Sequence, residues 1–170
     1  VNYYADISHA MVQYGRNFEK LGAFTGSVMY HSYGKMKYAD EEGNVTGGTF
    51  SPSDFNVMIG WGRRQLTPHW SIGANVKFAG IQYERYKTFA LAVDVAGSYR
   101  TDNGWMFAAT ARNIGYELYS NFEGDRNKLP FRLSAGVSKR LEHVPFLFSV
   151  VYENIQKWDL SYDDPLDLEG

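Results

Sequence analysis

Apolar residues recur at every second position along most of this chain. The clearest stretch runs from Trp70 to Tyr99. Trp70, Ile72, Ala74, Val76 and Phe78 alternate with Ser71, Gly73, Asn75, Lys77 and Ala79. After a break at residues 81–87, Phe89, Leu91, Val93 and Val95 alternate with Ala90, Ala92, Asp94 and Ala96. A period of two places successive side chains on opposite faces of a β-strand, so each run has one apolar face and one polar or small face. Each run has about the 9–11 residues that a tilted strand needs to cross a bilayer. Trp70 and Tyr99 fall at the same end of the pair, where an aromatic girdle would lie.

The same reading predicts eight strands. The first is Tyr3 to Tyr14 and the second Ala23 to Tyr33. Phe55, Val57, Ile59 and Trp61 mark the third, and the Trp70–Tyr99 hairpin supplies the fourth and fifth. Trp105, Phe107, Ala109 and Ala111 mark the sixth. Phe131, Leu133, Ala135 and Val137 mark the seventh, and Phe146, Phe148, Val150 and Tyr152 the eighth. The connections near 17–22, 63–69, 101–104 and 140–145 are short. Those at 34–52 and 116–130 are long and polar, and 82–87 is intermediate. Asn103-Gly104 is a strong hairpin turn, because both residues accept positive φ. Short turns on one rim and longer loops on the other are the outer-membrane pattern. The expected fold class is therefore all-β: an antiparallel up-and-down transmembrane β-barrel. It would occupy residues 1–158, followed by an acidic tail over 159–170.

Composition narrows the function more than it specifies it. The formal net charge of the 170 residues is −2, which gives no reason to expect nucleic acid. There is no cysteine, hence no disulfide framework and no thiolate metal site. Tyr (13), Phe (11) and Gly (17) are frequent while Pro (5) is rare, which suits long strands and tight turns. The mean hydropathy of −0.39 does not argue against a membrane, since a barrel wall alternates. No run of about 18 apolar residues offers a membrane helix. The chain opens on Val1 without a signal-peptide pattern, and the expectation is that N-terminal sequence is missing.

Candidate chemistry is sparse. His9, His31, His69 and His143 lack partners at metal-ligand spacing along the chain, and no nucleophile elbow or phosphate loop occurs. The expectation is no catalytic residue, no metal and no cofactor. The acidic tail and the Asp40-Glu41-Glu42 loop read as solvated, and Trp61, Trp70 and Trp105 as membrane-interface residues. The side chains expected to face lipid are Phe24, Val57, Ile72, Val76, Leu91, Val93, Phe107, Leu133, Val137, Phe148 and Val150. One group stands out on the polar faces: Lys77, Asp94 and Arg112. With the first turn centred near residues 84–86, Lys77 lies opposite Asp94. With the next centred on Asn103, Asp94 lies opposite Arg112. This predicts a structural row of charges in the barrel lumen, an acid between two bases.

Several stretches carry a resemblance in their order along the chain. They are Ser32-Tyr33-Gly34-Lys35, Gly47-Gly48-Thr49-Phe50-Ser51, Arg112-Asn113-Ile114-Gly115, Leu129-Pro130-Phe131, residues 139–149 (Lys-Arg-Leu-Glu-His-Val-Pro-Phe-Leu-Phe-Ser), and Trp158-Asp159-Leu160-Ser161-Tyr162. The ordered set resembles the PorQ family, outer-membrane proteins of the type IX secretion system of Bacteroidetes. The resemblance implies a FadL-like barrel of about fourteen strands, of which eight would lie here. It implies a non-enzymatic anchor in the bacterial outer membrane, surrounded by lipid and lipopolysaccharide. That anchor would hold a PorZ-like surface protein together with PorU and PorV, the sortase chemistry belonging to PorU. Two other functions fit the strand pattern: a FadL-like channel for hydrophobic compounds, and a small self-contained ligand-binding barrel.

Overall fold

The computed structural model describes residues 6–39, 43–121, 128–141 and 144–157. Among these, ten strands form: β1 (Ser8–Phe18), β2 (Gly22–Ser32), β3 (Met36–Ala39), β4 (Val45–Phe50), β5 (Ser53–Arg63), β6 (Trp70–Tyr83), β7 (Tyr86–Arg100), β8 (Trp105–Ser120), β9 (Arg132–Arg140) and β10 (Leu147–Tyr152). Eight of them make one antiparallel sheet in the order β1-β2-β5-β6-β7-β8-β9-β10. Each strand of that sheet pairs with its neighbours in sequence, so the topology is up-and-down. β1 and β10 are its edges, each laddered on one side. Among the described residues no helix is long and apolar enough to cross a membrane.

The connections β2 to β5, β6 to β7 and β8 to β9 share one rim, because the strands alternate in direction. The turns β1–β2, β5–β6, β7–β8 and β9–β10 share the other. The two long stretches at 34–52 and 116–130 thus reach the same rim, as their lengths suggest. The first strand, expected over Tyr3 to Tyr14, runs instead from Ser8 to Phe18, and Tyr3 to Ala5 lie outside the described residues. Three connections also differ from the sequence expectation. The 34–52 stretch is not an open loop but carries the β3–β4 hairpin, whose neck is closed by Tyr33 N–H donating to Pro52 O at 2.9 Å. Ring contacts of Phe50 with Tyr38 (5.0 Å) and Tyr83 (5.2 Å) hold that hairpin over the end of β6. β8 continues through residues 116–120, read as loop from their polar character. The 82–87 connection tightens to the two residues Glu84-Arg85, since Tyr83 pairs with Tyr86. The main-chain N–H of Lys87 donates to Asn121 Oδ1 (2.6 Å), and Asn121 Nδ2 donates to Arg85 O (2.8 Å), stitching that turn to the end of β8.

Register divides the sheet into two faces, because directly paired residues lie on the same side. Val57, Phe78, Leu91 and Tyr116 form one such row, and Ile59, Val76, Val93 and Ile114 another. All eleven side chains expected on the apolar wall lie on this face. Phe24, Val76, Phe107, Phe148 and Val150 are exposed there and the other six half-buried. Near the long-loop rim this face carries the row Tyr30, Phe55, Gly80, Phe89 and Tyr119. Gly80 is the small member because a Cβ would strike the rings of Phe55 and Phe89. Near the short-turn rim lie Trp70, against Tyr99 at 5.0 Å, and Trp105, beside Phe107 at 6.3 Å.

Past Tyr152 the chain folds back on the free edge of β9. Ile155 N–H donates to Leu133 O (3.0 Å). The Gln156 carboxamide accepts from Leu133 N–H (2.9 Å) and donates to Phe131 O (2.8 Å). One side-chain amide thus supplies both halves of a strand's hydrogen bonding where β10 has ended.

Candidate functional site

Lys77, Asp94 and Arg112 sit on the polar face of β6, β7 and β8. The β7–β8 register up to Val95–Ala111 is the expected one, while the placement of Lys77 relative to Asp94 differs from the expected row. The β6–β7 pairing sets Lys77 opposite Ala92 and Asn75 opposite Asp94. The cause is the shorter turn, which slides the two strands by two residues. A slide of two preserves the faces, whereas a slide of one would have reversed them. Lys77 therefore reaches Asp94 diagonally, with Nζ–Oδ1 at 2.7 Å. The diagonal separation of about 7–8 Å between such positions is within the span of a lysine. Room for its stem comes from small neighbours: Ala92 opposite, 6% exposed, and Gly115 opposite Ala92 in turn.

The other contact with Asp94 comes from a residue that period-two reading passes over. β8 carries one extra residue between the pairs Val95–Ala111 and Val93–Ile114, a β-bulge. Asn113 occupies it with φ 57°. Asn is among the few non-glycine residues that accept this left-handed conformation at low cost. Its main-chain N–H, freed from the ladder, donates to Asp94 Oδ1 at 2.9 Å. Its side-chain Oδ1 accepts from Lys77 Nζ at 2.6 Å, and its Nδ2 donates to Pro130 O at 3.0 Å. A signal was present in the sequence. Apolar residues at 105, 107, 109 and 111 resume at 114 and 116, and a parity break of one marks a bulge.

Arg112 is paired with Arg132 across β8–β9, so two guanidinium-bearing side chains face each other across the ladder. Arg112 acts on the Asp94 carboxylate through its field, while the ion pair within 4 Å is the one with Lys77. Asn75, Asp94, Thr110 and Arg112 line a cleft of ≈ 170 Å³. Asp94 thus receives a lysine, a main-chain N–H and the field of a second cation. This network ties β6, β7, β8 and the segment before β9 together and acts as a brace.

A second cluster lies toward the long-loop rim. Register places His9 opposite His31 and His31 opposite Asp54. His31 Nδ1 is 2.9 Å from Asp54 Oδ1, Tyr33 Oη donates to Asp54 Oδ2 at 2.6 Å, and the two imidazole rings are 4.4 Å apart. The partners in these three contacts are 21 to 23 positions apart in the chain, so spacing along the sequence gives no hint of them. The hydrogen bond to Asp54, then burial, then the Asp54 charge hold the Tyr33 phenol above its ordinary value of 10.0. Among the described residues no group of three or more His, Asp or Glu is placed to hold a metal ion. His69, half-buried in the β5–β6 turn, has Nδ1 2.8 Å from Arg100 O at the foot of the β7–β8 turn. His143, Asp40 to Glu42 and the acidic tail lie outside the described residues.

No family model, curated protein or solved structure matches the chain.

Two outcomes are expected from this geometry. In a double-mutant cycle, Lys77→Met and Asp94→Leu should show a coupling of about 0.5–3 kcal/mol in equilibrium unfolding. Asp94→Leu should be the costlier single change, because it also strands the Asn113 N–H. Additivity of the two changes would remove the pair as a brace. For Tyr33 the sign follows from a folded-state pKa raised above the unfolded one. Its stabilisation is complete below the unfolded pKa and is lost as pH rises through the folded one. Unfolding measured up to pH 9 should show a constant loss on Tyr33→Phe, and that loss should disappear at strongly alkaline pH.

Proposed function

We propose that this sheet is part of the wall of a larger FadL-like barrel in a bacterial outer membrane. We further propose that the barrel is a non-enzymatic anchor of the PorQ kind, holding a surface attachment complex of type IX secretion. The observation that carries the membrane reading is the division between the faces. Val12, Ile59 and Val150 are exposed and share one side with Val76, Val95 and Phe107, a contiguous apolar surface across the sheet. Lipid is the solvent that such a face suits. From Trp70 to Gly80 the strand spans roughly 23 Å along the membrane normal, at about 3.3 Å per residue and about 45° tilt. The apolar band of such barrels is about 25 Å tall.

The polar face, with Lys77, Asp94 and Arg112, then lines the lumen. The edges β1 and β10 are where further strands pair, since an open edge does not persist in lipid. The rim with the β3–β4 hairpin faces the cell surface and its lipopolysaccharide. A PorZ-like protein, with PorU and PorV, docks on that side. This secretion role is supported by the ordered motifs from Ser32 to Tyr162. One of them, Arg112-Asn113-Ile114-Gly115, builds the bulge that grips Asp94.

Purifying the tagged full-length protein from outer membranes and identifying what co-purifies tests this reading. Recovery of a PorZ-like surface protein is the expected result. Its absence, together with measurable uptake of a hydrophobic solute, would replace the anchor by a FadL-like channel. Independently, Val76→Arg should cost about 2–4 kcal/mol in reversible unfolding from vesicles. Unchanged stability there would remove the lipid-facing assignment.

A further inference from the structure

The short-turn rim holds a cleft that the anchor role does not use. Pairing of β2 with β5 brings the β1–β2 turn beside the β5–β6 turn. Trp61 Nε1 donates to Leu21 O at 2.8 Å and pins the first turn to β5. Gly22, with φ 97°, closes that turn, and a Cβ there would run into the Gly62 carbonyl oxygen. Between the turns opens a cleft of ≈ 600 Å³, within the range of about 300–1,000 Å³ usual for small-molecule sites.

Its lining is amphiphilic. Phe18 and Ile72 belong to the apolar face and supply carbon, while Asn17, Gln65 and Ser71 supply hydrogen-bonding groups. Arg63 and Arg64 supply charge, and among the described residues neither has an acidic partner within ion-pair distance. Glu19 is the one acid in the lining. Arg16, on the apolar face of β1, lies over the Phe18 ring at 5.1 Å, and Lys20 lies in the same turn, so basic groups outnumber the acid. Two guanidinium-bearing side chains lining one cleft suit the oxygens of a phosphate, which arginine binds through paired N–H donors. Apolar side chains directly beside them suit a ligand whose phosphate continues into hydrocarbon.

We propose that this cleft binds the phosphate of an anionic phospholipid, with Arg63 and Arg64 on the headgroup and Phe18 and Ile72 along the first part of the chains. The assignment rests on the membrane reading above, in which the short-turn rim faces the periplasm and meets the phospholipid leaflet. Free phosphate shares the same chemistry and is separated from lipid by the test.

The full-length protein is reconstituted into phosphatidylcholine nanodiscs with and without phosphatidylglycerol, then re-extracted in mild detergent, and the retained lipid is measured. Wild type should enrich phosphatidylglycerol over phosphatidylcholine. Arg63→Gln/Arg64→Gln should lower that enrichment roughly 30-fold, at about fivefold for each basic residue near an anionic headgroup. Arg100→Gln/Arg140→Gln, on the polar face near the same rim, should leave it intact. Equal enrichment in the Arg63/Arg64 variant, or equal loss in both variants, would overturn the cleft as the site. Displacement of the lipid by inorganic phosphate at matching concentration would leave a phosphate site and remove the lipid. If the double variant does not insert, Arg64→Gln, at an exposed turn position, carries the same comparison with about a fivefold loss expected. Failure of the wild type to insert even into phosphatidylcholine would overturn the membrane reading and the lipid with it. Insertion without phosphatidylglycerol preference would overturn the lipid site alone.

Discussion

The main-chain ladder holds this sheet together, because a buried core does not. Ala92, at 6% exposure, and Pro52 are the buried apolar side chains among the described residues. A water-soluble domain of this size is stabilised chiefly by apolar burial, and here that contribution is small. What remains is the continuous antiparallel pairing from β1 to β10, in which interior strands are laddered on both sides. Such a sheet satisfies its own backbone and leaves its apolar face to whatever surrounds it. Lipid can fill that part for a barrel wall.

The ladder also dictates where polar chemistry can be placed. On the polar face small residues lie beside two of the longer side chains: Ala92 and Gly115 on the β7–β8 side of Lys77, and Gly60 beside Asn75. A Cβ on Gly115 would collide with the Leu91 carbonyl and the Ala92 main chain, so β7 and β8 come together only with glycine there. Into this space Lys77 lies down and meets Asp94. The bulge at Asn113 interrupts the ladder locally and turns the liberated N–H into a ligand for the same carboxylate. The broken main-chain pair is thereby compensated by a charge-assisted hydrogen bond.

At the two rims the ladder ends and side chains take over its hydrogen-bonding work. Asn121 closes the β6–β7 turn, Gln156 extends the edge of β9, and Trp61 fastens the β1–β2 turn. The long-loop rim adds the β3–β4 hairpin and the His31–Asp54–Tyr33 cluster. The short-turn rim gathers tryptophans and basic residues around tight turns, with Lys139 Nζ 5.5 Å from the Trp105 ring centre. The two rims thus differ in chemistry as well as in loop length. In the proposed barrel this asymmetry orients the protein, with a partner-binding surface outside and a phospholipid contact inside.

Alternation by itself determined the eight strands of the main sheet, their order and the apolar face. Those features follow from the period of two and from the sorting of turn lengths, both local properties. Residues such as Val57, Val76 and Leu91 could be placed on one side without coordinates, because a strand's side chains have only two directions to choose between. Tertiary structure decided the rest. The exact partner of Lys77 depends on whether the β6–β7 turn holds two residues or more, and the polar Gln82-Tyr83-Glu84-Arg85 run is compatible with either. The β3–β4 hairpin depends on glycines at positive φ (Gly47 at 73° and Gly48 at 100°) and on the aromatic contact of Phe50 with Tyr83, which belongs to another strand. The row His9–His31–Asp54 and the cleft between Phe18 and Arg64 join residues far apart in the chain. Register alone brings them together, and register is a property of paired strands, not of any one of them.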